Sequence, residues 1–305
     1  MSELILHHYY FSPFSEKVRA MLGYAGLSWQ SVEVREMPPR PLLAPLAGGY
    51  RKIPVAQIGA DIFCDTRTIA REIARLSNKP ELAMENCPEE VQAFIREVDL
   101  DVFLACIITA GNRTLLRKVL KESSLLDLCK LLWDRMRMGS KAKVKANGPG
   151  KMKRMVREHL DRLESMLANQ PFLFGETPNA ADFSAYHSLW FQRDLAEQPV
   201  VKGYPKVNAW MDRLQAFGQG NRTDISAEQA LDIARNHSPR AVPDSDHDGG
   251  LIGQAVNIAP ADYGREPVSG TLVASTPLEW VIVRDDATVG QVANHFPREG
   301  FALRP

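Results

Sequence analysis

Cysteine is scarce in this chain and poorly placed for chemistry. The 305 residues hold four, Cys64, Cys87, Cys106 and Cys129, and no two form a C-x-x-C pair. The seven histidines never stand three or four apart, so zinc-site and dithiol spacings are both absent. Reduced, buried thiols and no bound metal are the expectation. An excess of one charge is also missing: Lys+Arg and Asp+Glu each number 37, and nothing global recruits nucleic acid or an anionic membrane. No apolar run approaches the roughly 20 residues that span a bilayer. The opening MSELILHH lacks a basic leader followed by a long apolar stretch, which makes the cytoplasm the expected location. No Gly-x-Ser-x-Gly elbow occurs, which lowers the case for a hydrolase.

What is present divides into three stretches. Glu3–Tyr10 is rich in Leu, Ile and Tyr and suits a buried strand. Ser15–Ala25 follows at helical spacing, with Gly26 as a stop. Ser31–Arg35 alternates as a strand does, and the Pro/Gly-rich 38–49 predicts an irregular crossover. Ile53–Ile58 and Ile62–Cys64 flank a short hairpin turn, and a helix is expected from Thr66 to about Leu76. Residues 77–90 are polar with two prolines and read as a linker. Helical patterns come next, as in Lys153–Leu167, where Val156, Leu160, Leu163 and Leu167 form one stripe. After about 218 a polar, turn-rich segment leads to Val268–Ala274, Trp280–Arg284 and Val289–Phe296, three short strands of a small β unit. The expected units are residues 1–80, a helical 88–218 and an extension over 219–305.

Three places carry chemistry. Between the first strand and first helix, Tyr10-Phe11-Ser12-Pro13-Phe14-Ser15 sets a hydroxyl at a helix N-terminus. Unpaired N–H groups and the helix dipole stabilise an anion there, including a thiolate. A plain helix cap by Ser12 or Ser15 gives the same local signal. In Arg51-Lys52-Ile53-Pro54, a proline opening a strand can hold a cis bond that bares the backbone of Ile53 for an extended peptide. In Asp65-Thr66, Thr66 can offer its hydroxyl and N–H to a carboxylate while Asp65 accepts from an ammonium group, although Asp65 alone reads as a cap. Together the three sites call for a ligand with a thiol, a peptide backbone and a free amino-acid end, which describes glutathione.

The order S-P-F-S-x-K-V-R, K-I-P-V, D-T resembles a glutathione transferase N-terminal domain. In the serine- and cysteine-type classes of that family the catalytic residue lies seven positions before an arginine of the first helix, and counting back from Arg19 gives Ser12. Ser-Pro-Phe stands where the omega-type pattern has Cys-Pro-Phe, which favours thiolate activation over a mixed disulfide. Tyr9 and Tyr10 leave a tyrosine-type mechanism open, but they fall short of the tyrosine-class spacing and rank behind Ser12. Gly175-Glu176-Thr177-Pro178-Asn179-Ala180-Ala181-Asp182 resembles the capping motif of the family's helical domain, with Asn179 as the cap. The resemblance covers residues 1–217 and leaves the extension outside it. It implies a thioredoxin-like domain followed by a helical bundle, with glutathione as co-substrate. Ser12 would hold the thiolate, and Phe14, Lys52, Ile53, Asp65 and Thr66 would contact the tripeptide. Lys52 matches the side chain that meets the glycyl carboxylate in several classes; a solvated surface lysine is the alternative. The expected activity is attack of glutathione on a small electrophile, as in detoxification, by a homodimer. Two alternatives stand beside it: a non-catalytic glutathione-binding or interaction protein that keeps the fold, and a glutathione-dependent reductase or isomerase.

Other signals are weaker. Asp244-Ser245-Asp246-His247-Asp248-Gly249 imitates the start of a calcium loop, but its twelfth position is Ala255 rather than Glu. Gly148-Pro149-Gly150-Lys151 is neither a P-loop nor a dinucleotide fingerprint. The basic residues from Arg135 to Arg157 suit a solvated helix face.

Overall fold

The computed structural model describes residues 3–122, 148–242 and 245–305. Strand β1 (Leu4–His8) is buried along its whole length, as a central strand must be. It pairs in parallel with β2 (Ser28–Glu33) and antiparallel with β3 (Val55–Ile58). Strand β3 turns through Gly59, whose φ of +60° suits a residue without Cβ, into β4 (Asp61–Cys64). Helix α1 (Pro13–Ala25) makes the crossover between β1 and β2, and the short α2 (Ala44–Ala47) lies in the irregular crossover to β3. Helix α3 (Thr66–Ser77) packs against α1 on one face of the sheet. This is a thioredoxin-like domain.

The helical domain follows. Helix α4 (Glu89–Glu97) continues through a wider turn at Val98–Val102 into α5 (Phe103–Thr109), and α6 (Arg113–Glu122) comes next. Helices α7 (Pro149–Met166), α8 (Ala180–Trp190) and α9 (Pro205–Ala216) complete the described part. Asn179 caps α8 as its motif predicts: Ala181 N–H donates to Asn179 Oδ1 at 2.9 Å, and Asn179 N–H to Asp182 Oδ2 at 2.9 Å. Lys151, Lys153, Arg154 and Arg157 face solvent on α7; the part of the basic run before Gly148 lies outside the described residues, as does Cys129. No helix among the described residues is long and apolar enough to cross a membrane.

The extension is β-rich, and its strands join the existing sheet. Strand β5 (Asn221–Asp224) adds in parallel to β2 at one edge. Helix α10 (Ala227–Arg235) then packs against β2, α2 and β9 (Gly290–Pro297), so the chain returns to the opposite edge. There β9 adds in parallel to β4, and β8 (Glu279–Asp286), β7 (Val268–Ser275), β6 (Ala255–Pro260) and β10 (Phe301–Arg304) continue outward. The result is one ten-stranded sheet in the order β10-β6-β7-β8-β9-β4-β3-β1-β2-β5. The small β-rich extension expected here forms by continuing the sheet: the bare edges of β2 and β4 each take a strand, which satisfies their open ladder groups.

The period-two alternation of strand side chains gives the sheet two cores. On β4, Phe63 points into a core shared with Val18, Ile69, Phe94, Phe183 and Trp210 of the helical layers. Its neighbours Ile62 and Cys64 point the other way, to Tyr50, Ile258, Leu272, Ile282 and Phe296. The N-terminal domain is therefore clamped between the helical domain and the extension. Where α1 meets the start of the extension the backbones nearly touch: a Cβ at Gly23 would lie 2.0 Å from the Gly218 carbonyl oxygen.

Candidate functional site

The loop after β1 is fixed from below by Arg19, which is 1% exposed. Its Nε and Nη2 donate to Glu16 Oε2 at 3.0 and 2.7 Å, and Nη2 also donates to the Tyr10 carbonyl at 3.1 Å. The residue that marks the family spacing thereby holds the main chain two positions before Ser12. Ser12 caps α1, its Oγ accepting from Ser15 N–H at 3.2 Å, and it is 2% exposed. The Ser15 hydroxyl is buried without a partner among the described residues. Tyr10 turns outward, with Arg222 of β5 5.1 Å from its ring centre.

Phe14, in the first turn of α1, packs against Phe103 of α5 and His187 of α8 at 4.6 and 4.8 Å. Beneath it Lys17 Nζ pairs with Asp99 at 2.7 Å, and His187 Nε2 lies 3.2 Å from the same carboxylate. Burial pushes the Asp99 carboxyl up, but Lys17 and His187 prevail and hold it below the ordinary range. Burial brings His187 down to about 3, so its neutral ring donates to an ionised Asp99.

The Ile53–Pro54 bond is cis. No hydrogen bond among the described residues engages the main chain of Ile53, which leaves an open N–H and C=O pair beside β3. At the start of α3, Asp65 accepts from Arg67 N–H at 3.1 Å, and the Thr66 hydroxyl has no described partner.

These segments converge. Phe14, Lys52, Ile53, Asp65 and Thr66 line one cavity of about 380 Å³, together with Arg96, Asp99 and Leu100 of the helical domain. Ser12 lies outside the lining, two residues before Phe14. The described thiols Cys64, Cys87 and Cys106 are buried and lie outside it too; burial pushes Cys106 up to about 12. Among the described residues no group of His, Cys, Asp and Glu could hold a metal ion. In the calcium-like segment, Asp248 is engaged by Arg298, Ser275 and Trp280, and Asp244 lies outside the described residues.

The extension builds the far wall with Asp262, Tyr263, Glu299 and Phe301, and Tyr50 closes the floor. Sequence reasoning missed all five. Asp262 meets Lys52 across 210 residues, and no local pattern in the sequence announces a pairing of that length. Tyr50 lay in plain view three positions before Ile53, yet an isolated tyrosine carries no spacing signal.

Comparison with known proteins agrees with this architecture. Residues 6–81 match the family model of the glutathione S-transferase N-terminal domain, and residues 146–213 that of the C-terminal domain. A GST-like protein from Pseudomonas syringae shares 35% identity and a TM-score of 0.80, over 100% of this chain and 99% of its own. A glutathione S-transferase from Sinorhizobium meliloti shares the fold at 20% identity and a TM-score of 0.50, over 70% of this chain and 89% of its own. No curated protein matches. With a full-length relative of that identity and both family domains in order, the chain belongs to the glutathione transferase family.

Proposed function

We propose that the cleft binds glutathione and that its thiolate attacks a small electrophile entering from the helical domain, forming a thioether as the electrophile's leaving group departs. The observation that carries this reading is the convergence of Phe14, Lys52, Ile53, Asp65 and Thr66 on one cavity. The main chain of Ile53 offers the donor and acceptor that an extended peptide needs. Thr66, at the N-terminus of α3, suits the carboxylate of the γ-glutamyl end. Asp65, which pairs with no Lys or Arg among the described residues, suits its ammonium.

Ser12 is the proposed donor to the thiolate. Its oxygen uses a lone pair on Ser15 N–H, and this leaves its own O–H to donate. Such a bond to a charged sulfur is worth about 1.5–3 kcal/mol, or roughly ten- to a hundred-fold in rate. The test is conjugation of glutathione to a reactive aryl halide by wild type and Ser12→Ala. A fall of that size in kcat, with KM for glutathione nearly unchanged, is expected. Equal turnover removes Ser12 from the mechanism. A homodimer belongs to the same reading and is checked by light scattering.

A second reading has its own support. Ser12 is buried as a cap and Lys52 is tied to Asp262, the features expected of a binding protein that keeps the fold without turnover. Saturable glutathione binding in calorimetry, with no conjugation across a panel of electrophiles, decides for it.

A further inference from the structure

This inference rests on the cleft being a glutathione site, and it concerns the form of the tripeptide that fits. A peptide laid along Ile53 directs its glycyl end towards Lys52. That ammonium is already engaged: Asp262 holds it through both oxygens at 2.8 and 3.0 Å. The rings of Tyr263 and Phe301 lie 4.2 and 5.7 Å from it. The other cations of the lining are paired as well. Arg67 meets the Glu299 carboxylate at 3.2 Å, and Arg96 meets it at 2.9 Å and Glu89 at 2.8 Å. Across the lining, the carboxylates of Asp65, Asp262 and Glu299 face the cations of Lys52, Arg67 and Arg96, while Asp99 is paired with Lys17. A free glycyl carboxylate would arrive beside Asp262, like charge against like charge in a half-enclosed cleft.

Tyr50 supplies an independent observation. It is 3% exposed, it lines the same cavity, and its hydroxyl has no hydrogen-bond partner among the described residues. Phe296 and Phe301 of the extension hold its ring at 5.9 and 6.3 Å. Burial, with Asp65 nearby, keeps the phenol proton on well beyond its ordinary range, so the group is a neutral donor. Buried donors are normally satisfied, and Tyr50 lines the cavity that a ligand fills. An amide or ester carbonyl accepts from it and brings no charge towards Asp262.

We propose that the cleft is built for glutathione whose glycyl carboxylate is capped as an amide, its terminal carbonyl accepting from the Tyr50 hydroxyl, with Asp262 of the extension disfavouring the free acid. Titration calorimetry on the full chain tests this, with glutathione, its glycinamide form and its glycyl ethyl ester as probes. Wild type binds the two capped forms about ten-fold or more tighter than the free acid. Asp262→Asn strengthens the free acid and closes most of that gap. Tyr50→Phe weakens the capped forms by about five- to ten-fold while its unfolding midpoint holds or rises, because the deleted hydroxyl has no partner in the empty protein. Equal or tighter binding of the free acid by wild type overturns the proposal, and so does an unchanged gap in Asp262→Asn or unchanged affinity in Tyr50→Phe. If none of the three probes binds wild type, the glutathione reading fails and this inference goes with it.

Discussion

Asp182 shows how one carboxylate joins two segments of the helical domain. Besides the cap bond to Asn179, its Oδ1 accepts from Leu173 N–H at 2.9 Å and from Trp210 Nε1–H at 2.8 Å. The side chain is fully buried, and burial outweighs those three donors to bring its pKa up to about 6. Asp182→Ala strands the indole and two main-chain N–H groups, so a loss of about 3–4 kcal/mol is expected in urea unfolding. At this scale the sequence was informative where residues act on close neighbours. Asn179 and Asp182 were legible because capping is local, whereas the step from Arg19 to Ser12 came from the family resemblance. The pairing of Lys52 with Asp262 was not legible, since the two stand 210 residues apart.

Helices and inner strands were also legible. Period-3.6 stripes mark α1, α3 and α7, and alternation marks the β3–β4 hairpin and β7 to β9. The edge strands were invisible. Asn221-Arg222-Thr223-Asp224 of β5 is polar and largely exposed, held by main-chain pairing to β2 rather than by an apolar pattern. β5 can reach that edge only because Gly23 of α1 lets the chain pass at Gly218. From there Trp29 Nε1–H donates to the Gln219 carbonyl at 2.7 Å. Gly23→Ala puts a methyl group onto that backbone. Thermal melts should show a loss of at least about 2 kcal/mol, whereas Gly111→Ala, where nothing lies within 4 Å, is benign.

For the molecule as a whole, the two-sided sheet buries histidines from every layer. Burial lowers His7 to about 4 and His8, His159 and His187 to about 3. A histidine whose folded pKa lies below its unfolded value gives stability that is complete above about 6.5 and lost as pH falls towards the folded value. His7 alone accounts for about 3 kcal/mol across that interval. Asp182 and His295 act in the opposite sense. Burial lowers His295, but Asp61 and Glu279 outweigh it and raise the ring. The four lowered histidines span the larger interval. The unfolding temperature is therefore expected to be level above about pH 7 and to fall steadily towards pH 4. A midpoint that rises on acidification would contradict the burial pattern.

The fold class was readable from ordered motifs, but the docking of the extension was not. Its strands carry their own alternation, and nothing in them encodes that β9 pairs with β4 or that Asp262 reaches the cleft. Occupation of that cleft by glutathione is the claim on which the functional account depends. Calorimetric titration of glutathione into wild type and Asp65→Asn, a change that keeps the cap oxygen and removes the charge, measures it directly. The account predicts saturable binding to wild type and a loss on the order of ten-fold in the variant. No saturable binding to wild type, or equal affinity in both, would contradict it.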